Sequence, residues 1–166
     1  MRTLLLMRHA EAQASGASDV ERALTGRGRL DARAVGHWLA RQPYTPDRIV
    51  CSSALRAQET LGSLELPEGP RVVHDERLYL APSGRLLEVI RECDADARSL
   101  LVIAHNPGIA DLALELAASG PASTLENFAL GFSAGTLAAL EVRGAWSQVH
   151  QAIGIDLLRP ADVREH

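Results

Sequence analysis

The segment Leu100-Leu101-Val102-Ile103-Ala104 is apolar at every position, over a length that suits a strand rather than a helix. A strand with no polar face must be covered on both sides. Leu4-Leu5-Leu6-Met7 is a second such run, Ile49-Val50-Cys51 a third and Val72-Val73 a weaker one. The stretches between them supply the covering layers. Leu30, Ala34, Val35, Trp38 and Leu39 fall at helical spacing between Thr25 and Arg41, with Trp38 expected in the core. Leu55 and Leu61 mark a helix running to about Leu64, which Ser52 or Ser53 can cap, and Leu86, Leu87 and Ile90 mark another behind Ser83. Ile109, Leu112, Ala113 and Leu116 mark a further helix, with Asn106 at its cap, Pro107 in its first position and Gly120-Pro121 at its end. Strand and helix alternate, which predicts an α/β fold: a three-layer sandwich with a mainly parallel central sheet flanked by helices. After Ala134 the pattern changes, and Gly135 to Val142 with Val149 to Ile153 predict an antiparallel hairpin at one edge near the C-terminus.

A chain of 166 residues, 46% hydrophobic, fits a single domain over 1–166. Its net charge of -4 is spread along the length, which argues against a nucleic-acid partner. Cys51 and Cys93 lie far apart with no CxxC pair, so each is expected to be a buried free thiol rather than a zinc ligand or half of a disulfide. The apolar run at the N-terminus is too short for a signal-peptide core or a membrane span. A cytoplasmic protein with no membrane partner is the expectation.

Ligands of open α/β sheets bind beyond the carboxyl ends of the strands. The run Leu4–Met7 is followed by Arg8 and His9, and Ile49–Cys51 by Ser52, Ser53 and, one helical turn on, Arg56. His74, Asp75, Glu76 and Arg77 follow the weak run, and His105 and Asn106 the strongest one. Taken singly, each of these reads as an ordinary surface residue. Together they suit phosphoryl chemistry. Arginine matches phosphate oxygens with a planar fork, and neutral imidazole is a competent nucleophile near pH 7. His105 also precedes a helix N-terminus, where an anion is favoured. A metal site built from the two histidines fits poorly, because Arg8 and Arg56 would repel a cation. No cofactor and no metal are expected.

These residues resemble the histidine phosphatase, or phosphoglycerate mutase-like, superfamily. Leu-Met-Arg8-His9-Ala10-Glu11 is similar to the family's Arg-His-Gly strand end, with alanine for glycine. Ser52-Ser53-Ala54-Leu55-Arg56-Ala57-Gln58-Glu59-Thr60 and Val102-Ile103-Ala104-His105-Asn106-Pro107 resemble its second and third blocks, in the family's order. Asp19-Val20-Glu21-Arg22-Ala23-Leu24-Thr25 followed by Gly28 is similar to a stretch of the small prokaryotic phosphohistidine phosphatase-like branch. The resemblance implies that His9 is the nucleophile, that Arg8, Arg56 and His105 complete the phosphate pocket, and that Arg22 is a further phosphate contact. It also sets Glu76 at the position of the general acid, against which stands a solvated loop carboxylate. Thr60, four residues after Arg56, can support that side chain or lie at the surface.

The expected activity is a phosphatase that passes through a phosphohistidine on His9 and acts on phosphohistidine in a protein. A small phosphate ester, such as a sugar phosphate or nucleotide intermediate, is the alternative substrate, with the loop from Ser119 to Ser133 shaping the choice. A rival from another class is a non-catalytic module that uses the same pocket to recognise a phosphorylated partner.

Overall fold

A computed structural model of the chain describes residues 1–164. At the centre of its sheet lies β1 (Arg2–Arg8), whose Leu4, Leu5, Leu6 and Met7 are wholly buried. Successive side chains of a strand point to opposite faces, so Leu4 and Leu6 enter one core while Leu5 and Met7 enter another. Fully burying one such side chain is worth about 1.5–3 kcal/mol, and neither core can accept a polar residue at these positions without losing that gain.

On the Leu5 face, α1 (Gly26–Ala40) contributes Val35 and Leu39, and α2 (Leu55–Ser63) contributes Ala57. The two helices approach so closely that a Cβ on Gly36 would lie 1.9 Å from the Leu64 carbonyl oxygen. Thr25 caps α1, its hydroxyl accepting the Gly28 N–H at 2.9 Å. The Leu4 face is covered by Leu86 and Ile90 of α3 (Ser83–Arg91), Ile109 and Leu112 of α4 (Gly108–Leu116) and Phe128 of α5 (Ala122–Ala129). These are the three expected layers.

With β2 (Arg48–Ser52), β3 (Arg71–Asp75), β4 (Ser99–Ala104), β5 (Ala117–Ser119), β6 (Leu137–Val142) and β7 (Ala152–Leu158), the strand order is β3-β2-β4-β1-β6-β7-β5. β3, β2, β4 and β1 are parallel, and β6 runs antiparallel to both β1 and β7. The expected antiparallel pair is therefore present, but it does not form the edge. The three-residue β5, parallel to β7, lies outside it.

Several local expectations give way to tertiary contacts. α4 ends at Leu116, ahead of Gly120-Pro121, because the next residues pair as β5. Val72 and Val73 are exposed, since β3 has a neighbour on one side alone. Leu30 is exposed, and Trp38 is half-buried against the core. Cys51 is buried and Cys93 half-buried. Neither Ser52 nor Ser83 caps its helix: Ala54 and Pro82 occupy those positions, and the Ser83 hydroxyl donates to Glu115. Asn106 does not cap α4 either, because its side chain is engaged elsewhere. No helix among the described residues is long and apolar enough to cross a membrane.

Candidate active site

The parallel register sets Arg8 beside Ala104 across β1 and β4, and Cys51 beside Ile103 across β2 and β4. The residues that follow, His9, His105 and Ser52, must therefore emerge together at one end of the sheet. The ring centroids of His9 and His105 are 5.2 Å apart. Arg56, the second residue of α2, joins them with its side chain almost wholly enclosed, the residue being 1% exposed. Burying so many polar groups costs free energy unless each finds a partner, so their contacts are informative.

His9 Nδ1 lies 2.7 Å from the Ala10 carbonyl oxygen. A carbonyl can only accept, so Nδ1 carries the ring proton and Nε2 keeps its lone pair. Burial is the main cause that pushes the His9 pKa down to about 4, with Arg56, Arg8 and Arg22 adding repulsion, so the ring is neutral at ordinary pH. His105 is driven down to about 3, first by burial and then by His9 and Arg56. Its Nε2 is 2.7 Å from the Ser52 hydroxyl, which also accepts the Ala54 N–H at 3.3 Å. The arrangement that uses every group has Ser52 donating to Nε2, which leaves the proton on Nδ1.

That Nδ1 is buried and without a partner among the described residues, as are Nε of Arg8 and Nε of Arg56. The far ends of the two arginines are held. Arg8 Nη1 donates to the Phe132 carbonyl at 3.2 Å, and Arg56 Nη1 and Nη2 donate to the main-chain oxygen and the carboxylate of Asp19 at 2.8 and 3.2 Å. Burial and the neighbouring Arg56 also hold the Arg8 guanidinium below its ordinary pKa. Arg22 donates to Asp19 at 3.0 Å and to the Gln13 carbonyl at 2.7 Å. Two guanidinium groups, those of Arg56 and Arg22, thus share the carboxylate of Asp19, and three buried donors around His9 lack an acceptor among the described residues. Buried donors of this kind beside two guanidinium charges favour an anion, and a phosphoryl group has both the charge and the lone pairs.

His9, Arg8, Arg56, His105 and Arg22 are therefore brought together, as expected from the sequence. Glu76 is not brought into this set: it sits on an exposed turn and makes no hydrogen bond or ion pair with any of them among the described residues. The exposed turn lets its carboxylate stay in water. Tyr79, three residues on, packs edge-on to His105 with centroids 5.6 Å apart, and its hydroxyl donates to Asp19. Thr60 is buried rather than at the surface, accepting the Ala10 N–H at 3.0 Å and donating to the Arg56 carbonyl at 2.7 Å. It ties the chain just past His9 to the helix that carries Arg56. Sequence reasoning missed Ser52 as the partner of His105, along with Asp19 and Tyr79. Asp19 had a signal, standing three residues before Arg22 in a recognised stretch.

The profile described as "Histidine phosphatase superfamily (branch 1)" matches residues 4–79. An uncharacterised protein of Mycobacterium tuberculosis is 36% identical over 146 residues, covering 86% of this chain and 91% of that one. The phosphohistidine phosphatase SixA of Escherichia coli is 33% identical over 121 residues, covering 68% of this chain and 73% of SixA. The solved structure of a SixA-type protein from Nakamurella multipartitia superposes with a TM-score of 0.84 at 33% identity, covering 96% of each chain. With two histidines and three arginines gathered at the strand ends, these likenesses lead to one conclusion: the chain is a phosphatase of the histidine phosphatase superfamily, in its small prokaryotic phosphohistidine phosphatase-like branch.

Proposed function

We propose that this phosphatase acts on phosphohistidine carried by a protein, with His9 as nucleophile. The observation that carries the reading is the fixed tautomer of His9, whose lone pair on Nε2 stands among the buried, unpartnered donors of Arg8, Arg56 and His105. In the first step His9 Nε2 attacks phosphorus. A new N–P bond forms, the bond to the leaving nitrogen breaks, and that nitrogen departs with the electron pair. The arginines and His105 Nδ1–H hold the phosphoryl oxygens, and their preorganised charge lowers the barrier. Water then attacks the phosphohistidine on His9, which releases orthophosphate, returns the pair to Nε2 and gives up a proton to solvent.

A phosphohistidine substrate suits a site in which, among the described residues, no carboxylic acid is hydrogen-bonded to His9 or His105. Its leaving imidazole has a pKa near 7 and departs without strong acid assistance. The carboxylate of Asp19, bonded by Arg22 and Arg56, is held down to about 2, foremost by the Tyr79 hydroxyl, and is ionised at ordinary pH. The assignment in SixA of E. coli points the same way. Arg22 is a supporting phosphate contact, and Glu76 has no part in this reaction.

The test is to mix enzyme with an activated phosphoester in the presence of chelator, quench and recover labelled protein. Wild type yields an acid-labile phosphoenzyme. His9→Ala yields none and loses at least about 10⁴-fold in turnover. Near-normal turnover of His9→Ala sinks the mechanism. Absence of turnover in the wild type together with tight phosphate binding favours a recognition module. For the substrate, a phosphohistidine protein is assayed beside a panel of sugar and nucleotide phosphates. A preference above about 100-fold for one metabolite, roughly 2.7 kcal/mol in transition-state terms, overturns the protein assignment.

A further inference from the structure

Three side chains of the site converge on Asp19. Arg56 donates to it twice, Arg22 donates to its Oδ1 at 3.0 Å, and the Tyr79 hydroxyl donates to its Oδ2. These groups come from separate parts of the chain: α2, the loop that leads into α1, and the turn that follows β3. The Tyr79 ring is itself wedged between His105 and Arg56, whose guanidinium carbon lies 5.9 Å from the ring centre. Asp19 does not need this company to be solvated, because its own side chain is 47% exposed. The arginine does need it. With Nη1 and Nη2 both taken by residue 19, the Arg56 guanidinium cannot swing, and Nε is the buried donor left over.

An anion in this position has two opposed effects. It fixes the direction of the arginine donors, which favours a transition state that needs them aligned. It also carries the same sign of charge as a phosphate bound to those arginines, which weakens ground-state binding. Resting on the reading that the phosphoryl group lies among Arg8, Arg56 and His105, we propose that Asp19 is a positioning residue that locks Arg56 and Arg22 for turnover at the expense of phosphate affinity. Tyr79 completes the lock by donating to Oδ2, the oxygen that Arg56 Nη2 also uses.

The experiment compares Asp19→Ala, Asp19→Asn and Asp19→Glu with wild type. It measures kcat and KM for para-nitrophenyl phosphate, and the affinity for inorganic phosphate by calorimetry. Asp19→Ala lowers kcat by about 30-fold while phosphate binds roughly 3- to 10-fold tighter. Asp19→Asn lies between, since its amide oxygen still accepts one hydrogen bond. Asp19→Glu recovers part of kcat, because a longer carboxylate has room at this half-exposed position. A residue that merely held the loop in place would lower kcat and phosphate affinity together. That parallel loss, or a kcat for Asp19→Ala within about threefold of wild type, overturns the proposal. Calorimetric phosphate binding needs no turnover. If His9→Ala stays active while the split at residue 19 is seen, the nucleophile assignment fails and the positioning role stands.

Discussion

Arg56 and Arg77 each follow closely on a strand of the same parallel half-sheet, yet their surroundings are opposite. Arg77 lies past β3 at the open edge, with Nη2 bonded to Asp75 at 2.8 Å and to Glu92 at 2.6 Å, and Nε bonded again to Asp75. Its charge is met twice over, and solvent reaches it. Arg56 lies past β2 beside the buried end of β1 and shares one carboxylate with Arg22 and Tyr79. What separates the proposed phosphate-binding arginine from the structural one here is the deficit of acceptors. A saturated arginine has nothing left to offer a ligand. The donor surplus around His9 is a standing cost to the fold, which a phosphoryl group bound as proposed would relieve.

The sharpest way to break this contrast is to remove one surplus donor. Arg56→Met lowers kcat/KM by roughly 10²- to 10³-fold, measured on para-nitrophenyl phosphate, because a preorganised cation at the transferring group is lost. A loss under about fivefold would make Arg56 no more important than an edge arginine. Ser52→Ala leaves His105 Nε2 without its partner and frees the ring to turn, costing about tenfold in kcat. An unchanged rate would mean that the ring is fixed by packing alone.

The deficit also sets an acid sensitivity. In the unfolded chain both imidazoles titrate near 6.5, while in the fold they are depressed to about 4 and about 3. Between those values the unfolded state binds more protons. The stabilising contribution is therefore complete above pH 6.5 and is lost as pH falls toward 4. Denaturant titrations at pH 7, 6 and 5 show falling stability, and His105→Gln flattens the slope by removing one of the two protons. A wild-type profile without slope in this window contradicts the burial of the pair. Arg77→Gln is the smallest effect: kcat is unchanged, and Tm moves by less than about 2 °C, as for most exposed ion pairs.

The parts legible in the sequence are those fixed by local pattern. β1 and β4 had to be central strands because neither run has a polar face, and once they are parallel neighbours His9 and His105 must meet. Arg56 follows from its distance of one turn beyond β2. The illegible parts depend on chain segments that meet only in three dimensions. Ser52 reads as a helix cap until β4 brings His105 beside it. Asn106 reads as a cap until the Phe132 carbonyl takes its amide. Asp19 and Tyr79 lie 60 residues apart, and neither neighbourhood in sequence hints at the other. Glu76 illustrates the converse: resemblance sets it at the position of the general acid, and in the structure it lies exposed on the turn Glu76–Leu78.

The Phe132 carbonyl, which accepts from Arg8 at 3.2 Å and from Asn106 at 2.8 Å, is a main-chain atom. No substitution at position 132 deletes it. The aim of Arg8 is thus inherited from the path of the backbone and not from the identity of a residue, so amino acids in this loop can drift while the arginine keeps its direction. Insertions and deletions are another matter. Next to Gly131, whose φ of 82° marks the bend into this stretch, one added or missing residue would move the acceptor itself. Loop length, rather than loop composition, is the inheritable variable by which descendants of this enzyme could retune how a phosphoryl group is gripped.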